Sequence, residues 1–427
     1  MPALAQLLTD LAAAGAGDLI RPALAGDGLD GVAAGCVGEP RCLDELSALL
    51  RAAAAMGLAV GVRGAGTKLG WGNPPERLDL LVDMAGLGAV VEHAAADQVV
   101  TVQAGTPLSR LQAHLAVSGQ RLALDPPEPG ATIGGIVATG ASGPLRHLHR
   151  SVGGLVLGMT VVLADGTVAR SGSKVVKNVA GYDLGKLFTG SYGTLGVIAE
   201  LILRLHPLPE TARWVEADIS SPDEAAALVR RVARSQLLPA AVELDWPELG
   251  RGGATGTLRV LLEGAAGSVD GRGAALVTLL GADARVLAQP VLSAAPGVRP
   301  WQPGGISLKV ATERSGLAPM LGAIGEAAAA VIAPGERGAH LSGQAGSGVL
   351  YVGLPPLGGA AAAETVRRLR AEAAQHGGTV VVLGAPPELK AVLDVWGPVK
   401  GLELMRRVKE RFDPDRRMSP GRFVGGI

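Results

Sequence analysis

Arg63-Gly64-Ala65-Gly66-Thr67-Lys68 follows directly on the apolar run that starts at Leu58. The pattern predicts a short strand over 58–63 that ends in two glycines within three residues. Glycine lets successive backbone amides turn inward with little side-chain obstruction. Such a nest suits a pyrophosphate, with Arg63 or Lys68 to neutralise charge. Two rival loops fail on spacing. The dinucleotide fingerprint needs G-x-G-x-x-G opening a helix; here Leu69 holds the third position and Trp71-Gly72-Asn73-Pro74-Pro75 follows. The P-loop needs Lys before Ser or Thr. Gly61 to Gly66 has its spacing, but Thr67 precedes Lys68.

A second small-residue segment runs from Pro129 and Gly130 through Ala131, Thr132, Ile133, Gly134, Gly135 and Thr139 to Ser142 and Gly143. It is dotted with hydroxyls and carries almost no charge, so a diphosphate and a flat ring can approach its backbone. Arg146 follows and is placed to approach such a ring or a carboxylate. A third segment, Gly190 to Ile198, opens onto a buried strand.

Outward from these loops, periodicity sets the elements. A helix is expected over 43–56, strands over 78–83 and 99–103, and a helix over 108–115 opened by Thr106-Pro107. A hairpin is expected over 155–170 around Asp165-Gly166. A strand over 194–205 closes at Pro207 and Pro209, where a domain boundary falls. Beyond it, strands and helices alternate in two βαββαβ-like passes up to Leu383. A last helix over 401–412 and a Pro-Gly-Arg tail are expected to return to the first domain. The expected domains are 1–209, 210–395 and 396–427.

The bulk numbers exclude several classes. Of 427 residues, 48% are hydrophobic, so the chain can bury a core. Thirty-nine basic residues balance 39 acidic ones without a basic stripe, which argues against nucleic acid. Cys36 and Cys42 are the two cysteines, too few to ligate an iron–sulfur cluster with four thiolates. The N-terminus lacks a basic n-region, and the apolar stretch 317–333 is interrupted by Glu326, so neither an export signal nor a transmembrane segment is expected. The expected location is cytoplasmic, with peripheral attachment at the inner face of a membrane left open.

The three loops, in this order and spacing, resemble the FAD-binding domain of the vanillyl-alcohol oxidase and p-cresol methylhydroxylase (PCMH) superfamily over about residues 30–209. The resemblance implies an α+β fold: a two-subdomain PCMH-type FAD-binding domain, then an α+β cap domain with an antiparallel sheet. It implies that the first loop wraps the FAD pyrophosphate, that the second flanks pyrophosphate and flavin, and that Gly196, Val197 and Ile198 give backbone contacts. Trp71 to Pro75, Lys177-Asn178-Val179-Ala180-Gly181-Tyr182-Asp183-Leu184 and the tail Ser419-Pro420-Gly421-Arg422 narrow the resemblance to the FAD-binding subunits of bacterial glycolate oxidases, although that family usually has Asn where Ser419 stands. Such a subunit works with a catalytic FAD subunit and an iron–sulfur subunit. Some superfamily members bond flavin to a histidine of the first loop. Thr67 and Lys68 occupy that region here, so the FAD is expected to be non-covalent.

Two C-terminal motifs of the catalytic relatives, a His-x-Gly-Asp-Gly-Asn-x-His run and a Glu-His-Gly-x-Gly run, are missing. No metal site is expected: His340 has no acidic residue or second histidine beside it in Ala339 to Gln344. His93 and His114 are read as structural, His147 and His149 as surface groups, and Tyr182-Asp183 as a packing and hydrogen-bonding pair. No catalytic residue is assigned.

Overall fold

A computed structural model describes residues 9, 12–13, 17–174, 183–287, 299–332 and 337–427. Three sheets organise them. The first holds β1 (Ile20–Pro22), β2 (Cys36–Gly38), β3 (Val60–Arg63) and β4 (Leu80–Asp83) in the order β1-β2-β4-β3. The β2–β4 and β4–β3 pairs are parallel, and α1 (Leu43–Ala55) is the crossover between β2 and β3. Leu46, Leu49, Leu50 and Ala53 form its buried stripe.

The second sheet is antiparallel. It contains β5 (Val90–Ala94), β6 (Val99–Gln103), β7 (Val156–Val162), β8 (Val168–Gly172) and β9 (Val197–Arg204) in the order β8-β7-β9-β6-β5. The expected hairpin is the β7–β8 pair, with Asp165 accepting from the Thr167 amide in its turn. Helix α2 (Leu108–Ala116) starts one residue later than its sequence signal: Pro107, not Thr106, is the N-cap. The Thr106 hydroxyl instead donates to Ala89 O across the sheet.

The third sheet has eight antiparallel strands. Its first pass is β10 (Thr211–Ile219), a helix at Pro222–Arg234, β11 (Ala241–Leu249), β12 (Gly256–Gly264), a helix at Ala266–Leu280, and β13 (Arg285–Val286). Its second is β14 (Ile306–Ala311), a helix at Leu317–Val331, β15 (Ala339–Gln344), β16 (Val349–Leu354), a helix at Gly359–Gln375, and β17 (Thr379–Gly384). The sheet order, β13-β10-β12-β11-β15-β16-β14-β17, makes each pass a four-stranded unit, and the two meet along β11 and β15. Side chains alternate across these strands. Val242, Leu244, Leu308, Val310, Leu350 and Val352 pack with the four helices into one apolar core. Their neighbours Glu243, Lys309 and Tyr351 project to the opposite face, toward the first two sheets.

The C-terminal helix, Leu402–Phe412, leads into a tail that lies against β3. Val60 N donates to Arg417 O at 2.7 Å and Ser419 N to Val60 O at 2.8 Å, adding a parallel bridge at the sheet edge. The Lys409 ammonium is a buried hub that reaches Thr194 O at 2.7 Å, Met418 O at 2.9 Å and Asp413 at 2.6 Å. No helix among the described residues is long and apolar enough to cross a membrane.

Candidate functional site

The three loops converge on one cleft. Gly64, Ala65, Gly66, Thr67 and Lys68 form one wall. Thr132, Gly134, Gly135, Ala138 and Thr139 form a second, and Gly196, Val197 and Ile198 a third. Two glycines show why small residues are needed. A Cβ on Gly64 would run into Thr132 Oγ1, and one on Gly134 would sit 2.6 Å from Ala104 Cβ. Gly66 has φ +77°, a left-handed conformation that glycine adopts without strain.

The second segment is not a loop throughout. Ile133–Thr139 is a helix, with the Thr132 hydroxyl accepting from Gly135 N and Gly140 closing it at φ +60°. Its glycines hide it from a propensity reading. Ile133 faces inward, wholly buried in the core. Pro129 and Gly130 are exposed and lie outside the cleft lining.

Arg63 turns away from the cleft. In the parallel β3–β4 register Arg63 stands beside Asp83, and its guanidinium donates to Asp83 (2.7 Å) and Asp27 (2.8 Å). Lys68 takes the other course. It is 7% exposed, its ammonium donates to Thr67 Oγ1 at 3.0 Å, and no carboxylate among the described residues pairs with it. Burial pushes its pKa down to about 8; nearby Glu128 opposes that shift and Arg299 adds to it.

Ser142, Gly143 and Arg146 also lie off the cleft, on the seam with the third sheet. Arg146 donates to Ser142 Oγ at 3.1 Å, and a Cβ on Gly143 would run into Asp125 O. Across the seam Arg299 donates to Glu128 at 2.7 Å and stacks 3.7 Å over the Tyr351 ring, with the Trp71 ring centroid 5.8 Å from the guanidinium carbon. Arg121 pairs with Glu263 at 2.5 Å. Burial pushes the Asp125 carboxyl up to about 7 and Glu243, beside it, well above the usual carboxylate range.

Several cleft residues escaped the sequence reading. Ser191, Tyr192 and Gly193 come from the third loop, where Tyr192 (φ +57°) and Gly193 (φ +75°) make a left-handed turn. Ser419 and Arg422 come from the tail. The signal was present, since both segments stood out as motifs, but nothing local says that the tail packs beside β3. Leu29, Val62, Leu69 and Met84 add apolar lining.

The histidines fall elsewhere. His93 and His114 stack 5.4 Å apart, and His340 pairs with Asp245 at 2.8 Å. His147 and His149 lie on the short helix Arg146–His149, half-buried on the seam rather than at the surface. Burial takes the His149 imidazole down to about 4 and lowers His147 as well. Among the described residues, no three His, Cys, Asp or Glu side chains gather as metal ligands. The motif at 177–182 lies outside the described residues; Asp183 caps the short helix Leu184–Phe188 by accepting from Lys186 N.

Comparison with known proteins agrees with this geometry. Residues 34–172 match the family model described as an FAD binding domain, and residues 388–423 match that of the C-terminal domain of FAD linked oxidases. Glycolate oxidase subunit GlcD of Bacillus subtilis is 37% identical over 216 residues, 49% of this chain and 45% of that protein. Glycolate oxidase subunit GlcE of Escherichia coli is 39% identical over 152 residues, 35% of this chain and 42% of the relative. A D-lactate dehydrogenase of Archaeoglobus fulgidus is 33% identical over 208 residues, 48% of this chain and 46% of the relative. The matches thus span less than half the length of these relatives. Among solved structures, an alkyldihydroxyacetonephosphate synthase superposes with a TM-score of 0.68 at 17% identity, covering 92% of this chain and 78% of its own; this likeness is one of fold.

Proposed function

The chain carries the FAD-binding domain and the C-terminal segment of the FAD-linked oxidases, and on that premise we propose that it is the FAD-holding subunit of an oxidase acting on glycolate. The observation that carries this reading is the cleft itself: three backbone-lined walls, two cations, Lys68 and Arg422, and no acidic lining residue. That donor set fits a diphosphate. Bound there, FAD supplies a two-electron acceptor that can release its electrons one at a time.

The residues divide the work. Gly64 to Thr67 bring backbone close to the diphosphate, and Lys68 neutralises part of its charge. Thr132, Gly134, Gly135 and Thr139 flank the cofactor, and Gly196 to Ile198 contact it through backbone. Thr67 and Lys68 stand where a covalent histidine would, so the cofactor is held non-covalently. On this reading the FAD-binding domain is 1–209 and the cap 210–395, and 396–427 returns to the first domain. The missing His-rich motifs support placing substrate chemistry on a partner flavoprotein, with an iron–sulfur partner to take up electrons. The same oxidase family includes D-lactate enzymes, and similarity to one of them favours a second reading, in which the chain itself oxidises a 2-hydroxy acid.

Purification of the full chain tests both. A flavin spectrum that is lost on acid precipitation, with FAD in the supernatant, is expected; a chain that cannot be loaded with FAD sinks the proposal. Anaerobic mixing with glycolate or D-lactate separates the readings. Bleaching of the flavin in the isolated chain selects the second, and bleaching only with the partner chains present selects the first.

A further inference from the structure

Arg422 presents a guanidinium to the cleft that the protein itself leaves half-used. The residue is 5% exposed and lines the cleft. Nη2 donates to Leu69 O at 2.7 Å, whereas Nη1 is buried and has no hydrogen-bond partner. The nearby carboxylate, Asp30, is taken: it accepts from the Lys390 ammonium at 2.6 Å. Among the described residues no carboxylate forms an ion pair with Arg422. A buried, unpaired cation is costly and persists where a ligand completes it.

The position of Arg422 is fixed from several sides. Its carbonyl accepts from Asn73 N at 3.1 Å and from Trp396 Nε1 at 3.3 Å, while its amide donates to Ser419 O at 3.2 Å. Gly72 lets this backbone come close, because a Cβ there would stand 3.1 Å from Arg422 O. The guanidinium is therefore held in place, with one nitrogen left to donate.

We propose that the free Nη1 of Arg422 donates to an anionic group of bound FAD, so that the tail supplies a second cation to the cleft that Lys68 also lines. The inference rests on the FAD reading above. Two groups share the required chemistry, the diphosphate and the reduced, anionic flavin ring.

The test uses the full chain with Arg422→Gln and Arg422→Lys. Affinities for FAD and for riboflavin, which lacks the diphosphate, are read by flavin fluorescence, and the midpoint potential by spectroelectrochemistry. The Gln variant should bind FAD on the order of 10- to 100-fold more weakly, the scale of one charge-assisted hydrogen bond. The Lys variant should recover part of that loss. Unchanged riboflavin affinity assigns the contact to the diphosphate, and a lowered potential with unchanged FAD affinity assigns it to the ring. FAD affinity and potential both within about twofold of wild type overturn the proposal. If the Gln variant does not fold, the Lys variant decides, since a lysine lacks the planar fork that directs one nitrogen to Leu69 O and the other to the cofactor; wild-type values there also overturn it. Failure of the wild-type chain to bind FAD would instead refute the underlying reading.

Discussion

At the scale of single residues, Lys68 gives the clearest consequence of burial. Its ammonium loses its proton near pH 8 in the folded protein and near 10.5 unfolded. Between those values the unfolded chain binds more protons, so the apo-protein gains stability as pH rises through that window. FAD affinity should move the opposite way, falling by about tenfold between pH 7 and 9.5 as the cation is lost. Titration of FAD across that range checks this. Lys68→Arg, which stays charged, should flatten the profile. Arg63 and Lys68 looked equivalent in the sequence, and only one reaches the cleft. What separates them is the β3–β4 register, which sets Asp83 beside Arg63, and a carboxylate from Asp27 far back in the chain. Residue type was legible there; side-chain direction depended on partners that no local pattern reveals.

At the scale of elements, strong periodicity was readable and glycine-rich helices were not. The helix Leu317–Val331 occupies the residues its apolar pattern marks. Ala266–Leu280 was missed because Gly267, Gly271 and Gly273 lower its intrinsic propensity; packing of Val269 and Leu276 against the sheet overrides that. Ile133–Thr139 was missed for the same reason. The tail is the element most exposed to a single change. Asp413, wholly buried, accepts from Lys409 Nζ, Arg417 N and Met418 N. Asp413→Ala strands the buried Lys409 cation and two amides, and should cost about 3–5 kcal/mol. Urea unfolding of the apo-protein measures it, and limited proteolysis should show cleavage near 413–422 before the rest of the chain unfolds.

Across the whole molecule, the expected pair of βαββαβ passes is present, and the seam between the third sheet and the first two was beyond sequence reading. The seam joins residues distant in the chain, Arg121 to Glu263 and Glu128 to Arg299, and it buries Asp125 near Glu243. Asp125 titrates near 7 when folded and near 3.8 when unfolded. A raised folded pKa contributes stability fully below about 4, and that contribution is lost as pH rises to 7. Melting temperatures should therefore decline across pH 4–7 by an increment that Asp125→Asn removes, since the amide oxygen can still accept from Leu145 N. The path of the tail has a consequence in time as well as in space. One side of the cleft is finished when Ile198 leaves the ribosome, but Ser419 and Arg422 follow only after the entire eight-stranded sheet has been translated. Nascent chains release their early domains to fold first. Here the early domain's cleft gains its last lining residues, Ser419 and Arg422, only when the tail arrives.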